Sequence, residues 1–263
     1  MDFRVFQKIF RKINGFIEII AIYKNWPTYI LYKFKLIPNN KPIKLCLRNG
    51  ISFNISERNN FETIDEVWRN RIQTKELSLP SSGIVIDIGA NIGAFSLMAA
   101  EQLHEGLVLS YEPEVNNYSA LVKNIAYNKL ENKVKPIQLA VSDKVGEQFL
   151  FLGEASGYHS ISPSESTNAF DETEREMVKT TTLSELFREN KISNCAFLKM
   201  DCEVAEKSIL LNADLNDLKK ISKIVIECHN GYSEIIQRLK GAGFKISTTI
   251  HTDKTGVVYA TRI

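Results

Sequence analysis

"VIDIGANIGAFS", residues 85–96, passes from an apolar strand-type run through glycines into helix-compatible residues. A strand that ends in a glycine turn and opens a helix marks the ligand edge of an open α/β sheet, where backbone amides and a helix N-terminus are exposed. Gly89 lets the chain turn sharply, and Gly93 lets a ligand or strand approach the backbone. A dinucleotide site wants a third glycine where Asn91 stands, so that a pyrophosphate can reach the main chain. That glycine is missing, and Ala90 and Asn91 fill the turn instead. Asp87, just before it, suits a cationic ligand group better than a phosphate. Downstream, "LSYEPE" closes the next strand with Glu112, an acid placed to accept both hydroxyls of a ribose. A ribose, a cationic neighbour and no pyrophosphate together describe S-adenosylmethionine (SAM).

Outward from this turn the chain alternates strands with helical patterns, the signature of a mainly parallel sheet. Strands are predicted at 84–88, 107–112, 134–140, 196–201 and 223–228, with helices at 94–103, 114–130, 205–213 and 232–241. "FKISTTI" and "GVVYATRI" read as a terminal antiparallel pair. The Ser-, Gly- and Glu-rich stretch 153–174 reads as a long functional loop or lid.

The front section, 1–75, reads as a cap or extension on a domain spanning 76–263. "FRVFQKIFRKINGFIEIIAIY" sets Phe3, Phe6, Phe10, Ile13, Ile17 and Ile20 at helical spacing among basic residues. It fits a helix packed on the domain or on a second copy in a homo-oligomer. It also fits a helix (residues 1–22) lying on an anionic membrane surface. "KPIKLCLRNGISFNIS" reads as a hairpin turning at Asn49-Gly50, and a helix is predicted over "FETIDEVWRNRI".

Composition narrows the class. A hydrophobic fraction of 44% beside 24% charged residues is that of a globular domain. The net charge of +2 conceals ten Lys/Arg against two acids in residues 1–50, hence +8 there and −6 in the remainder. An acidic body without a basic, aromatic-studded patch argues against nucleic acid as partner. The four cysteines lack metal-type or disulfide-framework spacing and read as small core residues in a reducing compartment. With no signal-type segment evident, a cytoplasmic location is expected, at the inner face of the membrane if residues 1–22 bind lipid.

With "VIDIGANIGAFS", "YEPEVNNYSALVKNIAYN", "AVSDKVG", "FLKMDCEVAE" and "IVIECH" in order, the sequence resembles the FkbM family of SAM-dependent methyltransferases over residues 60–263. The resemblance implies a Rossmann-like class I methyltransferase sheet of seven strands, mainly parallel with an antiparallel C-terminal strand. It implies that Asp87, Gly89, Ala90, Asn91 and Gly93 border the methionine half of SAM and that Glu112 holds its ribose. Pro113 would lie on one side of adenine, with Ala140 and Val141 on the other. The family carries glycine after the glutamate of "KMDCE", where this chain has Val204, so the turn beside the acceptor is expected to differ.

Methyl transfer asks the protein to align the acceptor, exclude water and remove the acceptor's proton. Asp201 ends the fourth strand over the crevice, and Glu203 and Glu206 enter the helix beyond. For Glu206 a favourable charge at the helix N-terminus is explanation enough. Glu227 and His229 alternate along the fifth strand and should point the same way. Asp201, Glu203, Glu227 and His229 are thus the candidate catalytic residues, and His159 is a lid candidate. Asp201, Glu227 and His229 also make an oxygen/nitrogen donor set that resembles the metal site of the magnesium-dependent O-methyltransferases sharing this fold; oxygen ligands would suit Mg²⁺, but the spacing fixes no geometry and assigns no metal. Carboxylates beside the acceptor suit a hydroxyl. The resemblance implies O-methylation of a sugar, a glycolipid or other lipid-linked glycan, or a secondary metabolite. A SAM-binding module without catalysis and an NAD-dependent oxidoreductase are the competing readings.

Overall fold

The computed structural model describes residues 3–38, 41–153, 159–161 and 170–263. The chain divides into two compact units, Met1–Asn70 and Arg71–Ile263.

The first unit contains α1 (Phe3–Ile22), α2 (Trp26–Lys33), β1 (Ile43–Cys46), β2 (Ser52–Ile55), α3 (Arg58–Asp65) and a π-helical turn, Glu66–Asn70. Its hairpin pairs Ile43 with Ile55 and Cys46 with Ser52, reversing through Gly50 at φ +100°. Only a residue without Cβ takes that angle freely. The helix expected over 61–72 starts earlier and loosens into the π turn. The centre of the unit is polar. Buried Asp65 accepts from Tyr23 Oη (3.1 Å), Tyr29 Oη (2.9 Å) and both forks of Arg69, whose Nε and Nη2 lie at 2.8 and 2.6 Å. Tyr23, Tyr29, Tyr32, Phe53 and Ile64 of this unit have no exposed surface. On α1, by contrast, Ile13, Phe16 and Ile17 remain exposed. Among the described residues no helix is long and apolar enough to cross a membrane.

The second unit is built on β3 (Ser82–Ile88), β4 (Glu105–Tyr111), β5 (Val134–Ile137), β9 (Phe197–Met200), β10 (Lys223–Cys228), β11 (Phe244–Ile250) and β12 (Gly256–Arg262). Their order is β11-β12-β10-β9-β3-β4-β5. The five strands from β10 to β5 are parallel, and β12 runs antiparallel between β10 and β11. Parallel strands covered on both faces need continuous apolar runs, and Val85, Ile86, Ile88, Phe197, Leu198, Met200, Ile224, Val225 and Ile226 supply them. The connecting helices are α4 (Ala94–Gln102), α5 (Val115–Tyr127), α6 (Leu183–Glu189), α7 (Glu206–Asn212), α8 (Leu215–Leu218) and α9 (Ser233–Gly241). This is the seven-stranded α/β sheet that the sequence implies.

Two expectations are corrected. The predicted strand 134–140 breaks after Ile137, where Leu139 N bonds back to Ile137 O, and Ala140–Ser142 becomes a separate strand, β6. β5 lies at the sheet edge and carries Pro136, which an edge tolerates, so the chain is free to leave there. β6 joins a second sheet with β7 (Gly146–Gly153) and β8 (Phe170–Thr182), in the order β6-β8-β7. The predicted loop 153–174 is therefore partly strand, since residues 170–174 belong to β8. Residues 154–158 and 162–169 lie outside the described residues. Charged side chains dominate the β8 sequence and hide its period. Its stability comes from pairing, as where Glu147 faces Lys179 and the Arg175 guanidinium lies 4.2 Å from the Phe149 ring centroid. Helix α6 was also not expected. Its signal is "TLSE": Thr182 caps the helix by accepting from Glu185 N.

Candidate active site

The glycine turn between β3 and α4 is closed upon itself. Gly89 N and Ala90 N both donate to Tyr111 O, Asn91 N to Glu112 Oε2, Ile92 N to Asn91 Oδ1 and Gly93 N to Ala90 O. Every amide from 89 to 93 is thus spent inside the protein. A pyrophosphate cradle needs those amides free, so the turn fits a ligand without phosphate. The glycines answer to the protein as well. A Cβ on Gly89 would stand 1.8 Å from the Asp201 carbonyl oxygen, and one on Gly93 would stand 2.7 Å from Leu121 Cδ1. What approaches Gly89 is the end of β9.

Glu112 stands at the end of β4, almost wholly buried. Its two oxygens accept from Asn91 N (2.8 Å) and Glu114 N (3.1 Å). Burial pushes its carboxyl up to about 7, against the pull of these two amides. Each oxygen keeps a second lone pair, the acceptor capacity that ribose hydroxyls require. Glu114 caps α5 through Asn116 N and Asn117 N. Pro113 beside it is half-buried. Ala140 and Val141 are buried in β6, so they lie beyond the end of the main sheet's third strand rather than in it.

Asp87 has no exposed surface. Its Oδ2 accepts from Ser96 Oγ at 2.6 Å, and Ser96 Oγ also meets Ser110 Oγ at 2.7 Å. Its Oδ1 lies 3.1 Å from Lys199 Nζ. Burial raises this carboxyl above its ordinary range, and Lys199 and Ser96 offset that only in part. The cation that Asp87 faces is therefore the protein's own. Lys199 is the residue the sequence reasoning missed. Buried in β9, it bonds Gly89 O at 2.6 Å and lies 3.6 Å from Asp201 Oδ2, tying the glycine turn to the next acid. Burial would discharge Lys199, but Asp87 and Asp201 hold its ammonium charged, above its ordinary range. Its alternation with Asp201 was visible, but its partner was not, since that depends on β9 lying beside β3.

Beyond Lys199, Asp201, Glu203 and His229 come together at the carboxyl ends of β9 and β10. His229 Nε2 lies 3.9 Å from Asp201 Oδ1 and 3.6 Å from Glu203 Oε2, while Nδ1 meets Glu206 Oε1 at 3.1 Å. Burial would lower His229, but Glu206, Glu203 and Asp201 together carry it up to about 10. Burial pushes Glu203 upward, with the imidazole opposing. Glu206 is more than a helix-end charge. Buried, it accepts from Cys202 N at 3.0 Å and fixes the imidazole. Glu227 is level with Asp201 one strand over, its field reaching Lys199, but it stays outside the Asp201–Glu203–His229 cluster. The alternation argument that paired it with His229 fails because β10 ends at Cys228.

Two further features shape this end. Glu203 and Val204 have φ of +49° and +82°, a conformation that a β-branched residue adopts only under strain. Val204 stands where the glycine was expected, and its angle is the reason glycine suits the position. The Glu203 carbonyl accepts from the Ser160 hydroxyl, so residues 159–161 reach this turn. His159 next door is half-buried, which lowers its pKa, and its Nδ1 accepts from Gly153 N at 3.3 Å.

A seven-stranded sheet of this order, with a glycine turn whose amides are all spent inside the protein, is the class I-like fold of SAM-dependent methyltransferases. The model of the methyltransferase FkbM domain matches residues 87–246, and the chain belongs to that family. It is 27% identical over 175 residues to methyltransferase sdnD of Sordaria araneosa, covering 57% of this chain and 68% of that one. It is 26% identical over 214 residues to the 31-O-demethyl-FK506 methyltransferase FkbM of Streptomyces tacrolimicus, covering 69% and 80%. Among solved structures, a methyltransferase FkbM from Methylobacillus flagellatus KT aligns at TM-score 0.49 and 14% identity over 77% of this chain. This chain spans about half of that one, 52%.

Proposed function

We propose that the chain methylates a hydroxyl oxygen, on a sugar, a glycolipid or a secondary metabolite. The observation that carries this reading is the juxtaposition of Asp201, Glu203 and His229 with the glycine turn, whose Gly89 packs against the Asp201 carbonyl. Bound SAM supplies a methyl carbon already activated by its sulfonium. The residues around it must hold the cofactor, aim the acceptor and take its proton. Gly89, Ala90, Asn91 and Gly93 border the methionine half, Glu112 accepts the ribose hydroxyls, and Pro113, Ala140 and Val141 flank adenine. Asp87 serves from beneath, through Lys199 and the Gly89 carbonyl that Lys199 grips.

On the acceptor side Glu206, Glu203 and Asp201 hold His229 charged, up to about 10, so as long as no other cation enters the cluster the acceptor's proton goes to a carboxylate. We assign it to Glu203, whose burial makes its ionised form the better base. Asp201 and His229 then orient the hydroxyl, while Glu227, outside their cluster, adds negative charge near Lys199. One curated relative is named for a demethylated oxygen, which is consistent with a hydroxyl acceptor here. Release of S-adenosylhomocysteine from SAM on adding hydroxylated acceptors is the direct test. Glu203→Gln should cut turnover about 10²–10⁴-fold while SAM affinity by calorimetry stays within about twofold. SAM binding without turnover on any hydroxylated acceptor would instead make the chain a binding module.

The exposed Ile13, Phe16 and Ile17 of α1, in a segment with an excess of basic residues, support a peripheral contact with anionic lipid. Phe16→Glu with Ile17→Glu should abolish co-sedimentation with phosphatidylglycerol vesicles. If wild type does not sediment and forms a dimer that these changes dissociate, the stripe is an interface between copies.

A further inference from the structure

We infer that Asp201, Glu203 and His229 form a site for a divalent cation of the Mn²⁺ or Zn²⁺ type, with Glu206 orienting the imidazole. The inference rests on the acceptor-site reading for its purpose, though not for its geometry.

One donor atom from each residue lies within 4.8 Å of the other two. His229 Nε2 is the ring nitrogen that faces Asp201 Oδ1 and Glu203 Oε2. The imidazole nitrogen is 3.9 and 3.6 Å from the two oxygens, too far to hydrogen-bond either. Ligands held about 2.1 Å from one ion at neighbouring positions lie roughly 3–3.5 Å apart, so a contraction of at most about 0.9 Å per side chain completes the set.

The far sides of Asp201 and His229 are already engaged, and the Glu203 backbone is held. Lys199 lies 3.6 Å from Asp201 Oδ2, leaving Oδ1 turned toward the imidazole. Glu206 Oε1 meets His229 Nδ1 at 3.1 Å, which fixes the ring and presents Nε2. The same Glu206 oxygen takes Cys202 N, so this acid stays behind the ring rather than joining the cluster. The Glu203 carbonyl is pinned by Ser160. A carboxylate behind a histidine, with its other nitrogen presented to acids, is how metal sites orient imidazole ligands.

The donor set selects the ion. Two carboxylate oxygens and one nitrogen are too few and too mixed for Ca²⁺, and Mg²⁺ prefers oxygen alone. An ion here would stand beside the glycine turn, where it would acidify an acceptor hydroxyl and favour acceptors with two adjacent oxygens.

The chelator-treated full chain is titrated with MnCl₂, followed by electron paramagnetic resonance of free Mn²⁺ and by calorimetry. One saturable site is expected. Glu203→Gln and His229→Ala should each weaken it at least tenfold, Glu206→Gln should weaken it about 10–100-fold, and Glu234→Gln should leave it unchanged. Circular dichroism checks folding, and Glu203→Gln, nearly isosteric, carries the test if His229→Ala does not fold. No saturable uptake at millimolar Mn²⁺, or uptake that these changes leave intact, overturns the site. SAM titrations run separately: Mn²⁺ uptake without SAM binding would sink the cofactor reading and spare this one.

Discussion

Two turns at the same edge of the sheet use left-handed backbone, and they fill it differently. Between β3 and α4 the residues with positive φ are Gly89, Asn91 and Gly93; between β9 and α7 they are Glu203 and Val204. The first turn uses residue types that tolerate the conformation, and the second imposes it on types that do not. Their acids differ in the same sense. Asp87 and Glu112 are buried and held by fixed donors. Asp201 and Glu203 are partly exposed and face an imidazole across gaps of 3.9 and 3.6 Å. A rigid, satisfied site suits a ligand that never changes. A strained, unclosed one suits groups that exchange protons or ligands during turnover.

The strongest way to break this contrast is to unpair the rigid side. Lys199→Met leaves the Asp87 carboxylate buried without its cation, and the fold should lose about 3–5 kcal/mol. The added change Asp87→Asn removes the stranded charge, so the double variant should recover most of that loss in urea unfolding. If the two losses simply add, the pair is not what anchors the turn.

A smaller effect sharpens the contrast through pH. Burial holds Glu112 up to about 7, so the folded state keeps a proton that the unfolded chain has lost above its ordinary value of 4.5. That contribution is complete below about 4.5 and disappears as pH rises to about 7, on the order of 3 kcal/mol in all. Ligand binding should run the other way, because ribose hydroxyls need the ionised carboxylate. SAM affinity should therefore rise about tenfold from pH 6 to 8, following the ionised fraction of a group near 7. Glu112→Gln should flatten both slopes. A wild-type affinity indifferent to pH would remove Glu112 from the ribose.

The rigid side was the more legible one. Glycines, a strand-end acid and their spacing are local signals, and they located the turn, Glu112 and the succession of strands along the chain. The partner of Asp87 was not local. Lys199 lies more than a hundred residues away, and only the adjacency of β3 and β9 brings them together. On the acceptor side, strand alternation found His229 but paired it with Glu227. The chain leaves β-conformation at Cys228, and the ring turns to Glu203 and Glu206 instead. The second sheet escaped notice because β8 is held by its neighbours rather than by an apolar period of its own.

The smallest effect bears on why the flexible side is strained at all. Val204 at φ +82° pays about 1–3 kcal/mol for its backbone. Glycine would remove that strain and return part of the gain as unfolded-state entropy. Val204→Gly should therefore stabilise the fold by roughly 1 kcal/mol, read as a higher urea midpoint at unchanged slope. Its effect on turnover separates two explanations of the strain. If the left-handed pair serves only to pass the chain from β9 into α7, glycine should leave kcat unchanged. If the stiffness of Val204 aims Glu203 at the imidazole, the more stable variant should be the slower one. A gain in stability with lower kcat and unaltered SAM affinity would show that the strain lies on the acceptor side for catalysis.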